Sequence, residues 1–166
     1  PQHPNHGLPK VCPPSKVVLK RHVTYDPCAN RHLMLTKSIG LFAAFLLAAN
    51  ALFQLALAAG VRWGDAAFGG KVANDDGSLP TRYRVMSLAS AVTMGLLIMV
   101  VLAASGGIND GAIGPGFATW VCKGASVLFA LNTVANLAST SKIERWVMGS
   151  ATAFLTVSFG LIGWVF

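Results

Sequence analysis

The stretch SIGLFAAFLLAANALFQLALAAG, Ser38 to Gly60, decides the fold. It holds no charged residue. At ~1.5 Å rise per residue its length matches the ~30 Å hydrocarbon core of a bilayer. The same absence of charge recurs from Val85 to Ile108 and from Trp146 to Phe166. A further apolar stretch, Phe117 to Ser139, is interrupted only by Lys123. Uncharged runs this long are the primary signal of membrane spans. The pattern predicts four, at about 38–60, 84–105, 117–139 and 144–166. Trp120, Trp146 and Trp164 fall near the span ends, where aromatic belts sit. The expected architecture is all-α: a four-helix integral membrane bundle over 38–166, preceded by a polar, basic N-terminal arm over 1–37.

Composition points the same way. Hydrophobic residues make up 54% of the 166 and charged residues 11%. A soluble domain carries about 25% charge, so a chain this apolar would expose large sticky patches in water. Six of the thirteen basic residues precede the first span, and the net charge is +7. Anionic lipid headgroups or an acidic partner surface fit that charge. Nucleic acid does not, because no basic helix interleaved with aromatics is present. Pro13-Pro14 and Asp26-Pro27 punctuate the arm and argue against long regular structure there. Lys16 to Tyr25 reads as a short strand or extended segment. A Cys12–Cys28 disulfide is an option in an oxidising compartment, beside two free thiols. The chain opens on Pro-Gln-His-Pro, with no methionine and no signal-peptide core, as an imported, processed organellar protein or a sequence lacking its start would.

The first and third spans echo one another. Leu46 to Ala56 and Leu128 to Ala138 share the pattern L-x-A-x-N-x-x-x-[QN]-L-A. It sets Asn50 with Gln54, and Asn132 with Asn136, each pair on one helix face. Two helical hairpins with a pseudo-two-fold relation would produce this echo. An unsatisfied amide in hydrocarbon is costly, so these four side chains are expected to face protein. Interhelical hydrogen bonding is the first expectation for them, at about 0.6 kcal/mol per bond. A ligand site at the bundle midplane, or an axial oxygen to a chlorophyll magnesium, is the second. Ser87, Ala91 and Gly95, and likewise Gly149 and Ala153, recur at four-residue spacing and define close helix approaches. Lys123, two turns into its span, is expected to snorkel toward the nearer interface, within reach of an acidic lipid or partner.

The segment between the first two spans is the most distinctive. Trp63 and Phe68 read as apolar anchors, and Gly64, Gly69 and Gly70 permit tight backbone geometry. Asp65 has Arg62, Arg82 and Arg84 as candidate ion partners. A folded interfacial cap is the expectation, ahead of a gate or an anion-binding cap. Trp63, Phe68, Arg82, Arg84, Lys123 and Trp146 are the candidate partner or lipid contacts.

The pattern W-G-x-x-A-F-G-G over Trp63 to Gly70, L-P-x-x-x-R-x-x-S over Leu79 to Ser87, N-x-x-x-N over Asn132 to Asn136, and S-x-x-E-R over Ser141 to Arg145 resembles a group of small four-span bacterial membrane proteins of actinobacterial type. The resemblance covers Leu41 to Phe166 and implies the four-span fold. It brings no activity with it. The long basic arm departs from that group.

Catalytic signatures are missing. His3, His6, His22 and His32 all precede the spans, so none is placed to ligate a haem in the bilayer. No metal-spaced His/carboxylate set, P-loop or nucleophile elbow occurs. Glu144, at the start of the fourth span beside Arg145, suits the helix dipole. No catalytic or metal residue is therefore assigned, and the chain is not expected to be an enzyme.

The leading functional expectation is a non-catalytic accessory subunit of a large energy-transducing complex, respiratory or photosynthetic. Its setting would be a thylakoid or mitochondrial inner membrane, and its partners other subunits and lipids. Bound lipid is expected, with chlorophyll or carotenoid only in a photosynthetic setting. The alternatives are a small transporter or ligand-binding module using Asn50, Gln54, Asn132 and Asn136, and a pigment-bearing photosystem subunit. Orientation stays open: Arg62, Lys71, Arg82, Arg84, Lys142 and Arg145 on one side balance six basic residues of the arm on the other.

Overall fold

Backbone groups inside a bilayer must bond to one another, and four apolar runs with no β alternation meet that demand as helices. The computed structural model describes residues 27–108 and 113–165, and all regular structure among them is helical. Four helices are long and apolar enough to cross a membrane, so the chain is a multi-pass membrane protein. They are α1 (Pro27–Ala59), α2 (Thr81–Ala104), α3 (Pro115–Leu137) and α4 (Glu144–Val165). The last opens and closes with a π-helical turn, Glu144–Met148 and Leu161–Val165.

The first helix begins earlier than the sequence suggested, at Pro27 rather than Ser38. The first charge-free residue marks where hydrocarbon begins, not where a helix must. Proline is well suited to a first helical position, and the exposed side chains of Arg31, His32 and Lys37 let the helix run on beyond the apolar zone. The basic arm before Pro27, the Lys16–Tyr25 stretch and the Cys12 half of the possible disulfide lie outside the described residues.

At its other end α1 closes with a Schellman motif. Gly60 takes φ +94°, the Gly60 amide donates to Leu57 at 3.0 Å, and the Val61 amide donates to Ala56 at 3.1 Å. Arg84 at the start of α2 donates its Nε to the carbonyl of Ala58 at 2.9 Å, satisfying another open carbonyl.

Packing is arranged as a ring. The closest neighbours are α1 with α2 and α3 with α4, as two hairpins would give. Looser contacts of α2 with α3 and α1 with α4 complete the ring, so α1 and α3 face each other across its diagonal. The core occupies the half of the bundle toward the α2–α3 connection: Leu47, Val101, Cys122, Phe129, Leu155 and Phe159 are buried there. Large side chains on the outside, such as Phe45, Leu96, Leu131 and Phe154, are exposed, as a lipid-facing surface requires. Trp120, Trp146 and Trp164 are also outward-facing at the span ends.

Candidate functional site

In the opposite half of the bundle the core gives way to polar residues. All four span amides line one cavity of about 410 Å³. Asn50, Phe53 and Gln54 come from α1; Ser90 and Met94 from α2; Asn132, Ala135 and Asn136 from α3; Met148 and Thr152 from α4. Each set follows helical spacing, so one face of each helix turns inward. Asn132 and Ala135 are exposed while lining the cavity, which places its mouth along the flank of α3.

The four amides do not bond to one another, and the interhelical bonding first expected of them is found at one position among the described residues. Among the described residues the only interhelical bond any of the four makes runs from Asn136 Nδ2 to Thr152 Oγ1, at 3.4 Å. Thr133 donates to the same hydroxyl at 3.0 Å. Gln54 Oε1 is buried and has no hydrogen-bond partner. Ser87 Oγ, one turn before Ser90, is in the same condition. The amides are spread around a hollow, and separation across the diagonal is the physical reason they do not pair.

Glu144 is the residue the sequence reading undervalued. Its side chain does not merely sit at a helix end facing solvent: it is 8% exposed and lines the cavity. The Gly69 amide donates to both carboxylate oxygens, at 2.9 and 3.0 Å, and the Ser139 hydroxyl donates to Oε2. These partners are neutral, so they solvate the carboxylate without cancelling its charge. The neighbouring Arg145 turns away and donates Nη2 to the Ser139 carbonyl at 2.7 Å. Glu144, Met148 and Thr152 recur every four residues, so the sequence itself sets them on one face of α4.

The segment between α1 and α2, residues 60–80, covers this end of the cavity. Two 3₁₀ turns, Gly64–Ala66 and Phe68–Gly70, carry it across. Phe68 and Gly69 both take left-handed backbone angles, φ 54° and 79°. A bulky residue there is uncommon, while glycine adopts it freely. The paired left-handed residues aim the Gly69 amide down at Glu144. Two further bonds fasten the segment to the α3–α4 turn: Thr140 Oγ1 donates to the Gly69 carbonyl at 3.1 Å, and Ser141 Oγ donates to the Asp65 carbonyl at 3.2 Å. Beneath, Leu57, Ala67 and Leu79 form a small apolar core with Phe53, Phe68 and Tyr83 around it. Phe68 packs on Tyr83 at 5.0 Å between centroids, and Trp63 stacks on Phe53 at 6.1 Å. Both expected anchors thus hold the cap to the bundle.

Other expectations changed. Two of the three arginines offered to Asp65 are engaged elsewhere: Arg84 with the Ala58 carbonyl, and Arg82 with the Tyr83 hydroxyl at 2.9 Å while its guanidinium lies 4.6 Å from that ring. Asp76, at the outer turn of the cap, accepts from the Ser78 hydroxyl at 2.6 Å, which with the Ser78 amide holds its pKa below the ordinary 3.8. Lys123 lies between two indoles, 4.9 Å from Trp120 and 4.8 Å from Trp164. Cation–π contact therefore accompanies the expected reach to the interface. Trp146 faces outward and does not line the cavity.

Nothing in the described residues gathers three or more His, Cys, Asp or Glu into a metal-binding group. No family model, curated protein or solved structure matches the chain.

Proposed function

We propose that this chain is a membrane-embedded binding module, a small transporter or receptor for a solute, with its site in the cavity beneath the 60–80 segment. One observation carries the reading: Asn50, Gln54, Asn132 and Asn136 surround a hollow with a buried carboxylate at its end, and the Gln54 oxygen has no protein partner. Helix packing gives no reason to set Asn50, Gln54 and Asn132, which bond to no other helix among the described residues, around one cavity. Buried polar groups without partners are destabilising, and a bound solute supplies the missing partners. The volume lies within the ~300–1,000 Å³ of small-molecule sites.

An accessory-subunit role requires the spans but not the cavity. An organellar setting belongs to the proposal through the basic arm alone. The module reading is tested on the purified chain in lipid nanodiscs, by thermal unfolding against small polar solutes of differing charge. Some solute class should raise the Tm of the wild type and leave Ala135→Trp, which blocks the cavity's mouth, unmoved. Equal response of both proteins to every class would overturn the reading.

A further inference from the structure

The cavity's chemistry selects among solutes. Resting on the binding reading above, we propose that its ligand is a small organic ammonium: an amine nitrogen, positively charged, on a short apolar body, bound at Glu144.

Charge decides first. Glu144 is the one ionisable side chain lining the cavity, and its partners are a backbone amide and a hydroxyl. A carboxylate this buried, uncompensated by a cation, repels anions and favours a positive partner. Hydrogen bonding decides next. An ammonium brings two or three N–H donors and no acceptor. The cavity offers acceptors for them: the carboxylate, the partnerless Gln54 Oε1, and the amide oxygens of Asn50 and Asn132, beside the N–H groups of the same amides. The walls complete the fit. Phe53, Phe68, Met94 and Met148 present ring and thioether surfaces, which suit a cation carrying a hydrocarbon body.

A bare metal ion fits poorly. It requires several oxygens converging at ~2.0–2.6 Å, and this space of about 410 Å³ has one carboxylate, with no second His, Cys, Asp or Glu lining it. Two sources share the ammonium chemistry: a soluble amine, or the ethanolamine headgroup of a lipid reaching in through the mouth beside Asn132. An ammonium on Glu144 competes with the Gly69 amide, so occupancy also loosens the segment above.

The probe is n-butylammonium, titrated by calorimetry into the chain in phosphatidylcholine nanodiscs, whose trimethylammonium has no N–H to donate. Saturable binding of one equivalent is expected. n-Butanol and butyrate should bind at least tenfold more weakly, and Glu144→Gln should lose at least tenfold. Gln54→Leu, which removes a partnerless acceptor and should fold at least as well, is expected to bind severalfold more weakly. Lys123→Gln, distant from the cavity, should bind as wild type. Replacing part of the lipid with phosphatidylethanolamine separates the sources. A lipid ligand would compete butylammonium away, and a soluble-amine site would be indifferent. Preference for butanol or butyrate, or undiminished binding in both Glu144→Gln and Gln54→Leu, overturns the ammonium assignment while leaving a binding module standing. Absence of any butylammonium binding overturns it as well, and failure of every solute class in the thermal screen removes the module reading beneath it.

Discussion

The two halves of the bundle are built from the same four helices and behave as opposites. Toward the α2–α3 connection, Leu47, Val101, Cys122, Leu155 and Phe159 are fully buried against one another. Toward the α3–α4 turn, the same helices present Asn50, Gln54, Ser90, Asn132, Asn136 and Thr152 to a hollow. One half is closed by packing. The other is closed by a latch, with Gly69 bonded to Glu144 and Thr140 bonded to Gly69. Apolar packing and polar side chains are thus divided along the helix axes. The dry half holds the helices together, which lets the other half keep polar groups that packing alone would reject.

The largest expected break of this contrast is Phe159→Ala in the dry half. Loss of a buried ring that packs on Phe129 at 5.4 Å should cost about 3–5 kcal/mol, read as a lower midpoint in detergent-induced unfolding. Next comes Glu144→Ala. It leaves the Gly69 amide and Ser139 hydroxyl without an acceptor, about 1–3 kcal/mol each before cavity water offsets part of the loss. Faster amide exchange across residues 64–70 with little change in the dry half would mark the latch as local. Gly69→Ala forces a side chain onto a φ of 79° and should loosen the same segment by roughly 1–2 kcal/mol in the same exchange measurement.

Gln54→Leu sharpens the comparison from the other side. Removing a partnerless buried oxygen should leave the unfolding midpoint unchanged or raise it by roughly 1 kcal/mol, whereas a polar-to-apolar change at a satisfied site would lower it. The smallest effect concerns Asp76. Its pKa is depressed, so the Ser78 contact stabilises the outer turn at any pH above the ordinary 3.8 and is lost only as pH falls through the lower, folded value. A carboxyl NMR titration with its midpoint below 3.8 checks this.

The four spans were legible because charge segregation is a property of composition along the chain, and hydrocarbon enforces it. The start of α1 was not, because the apolar boundary and the helix boundary are set by different physics. The amides at 50, 54, 132 and 136 were recognisable as one pattern, yet their role depended on which helices stand across the diagonal. Spacing within a helix cannot report that. Glu144 was hidden by its position: a carboxylate in a first helical turn has a sufficient local explanation. Its actual partner, Gly69, lies 75 residues away in sequence. That contact depends on Phe68 taking a left-handed angle, which no propensity favours.

Water access should differ between the two halves, and thiol labelling measures it. In a background with Cys12, Cys28 and Cys122 replaced, single cysteines at Asn136 and Ala125 can be reacted with a membrane-impermeant thiol reagent in sealed vesicles. Asn136→Cys should label rapidly from one side, more slowly with a bound ligand, and Ala125→Cys should not label. Equal protection of both positions would mean that the two halves are alike, and the division of the bundle would be wrong.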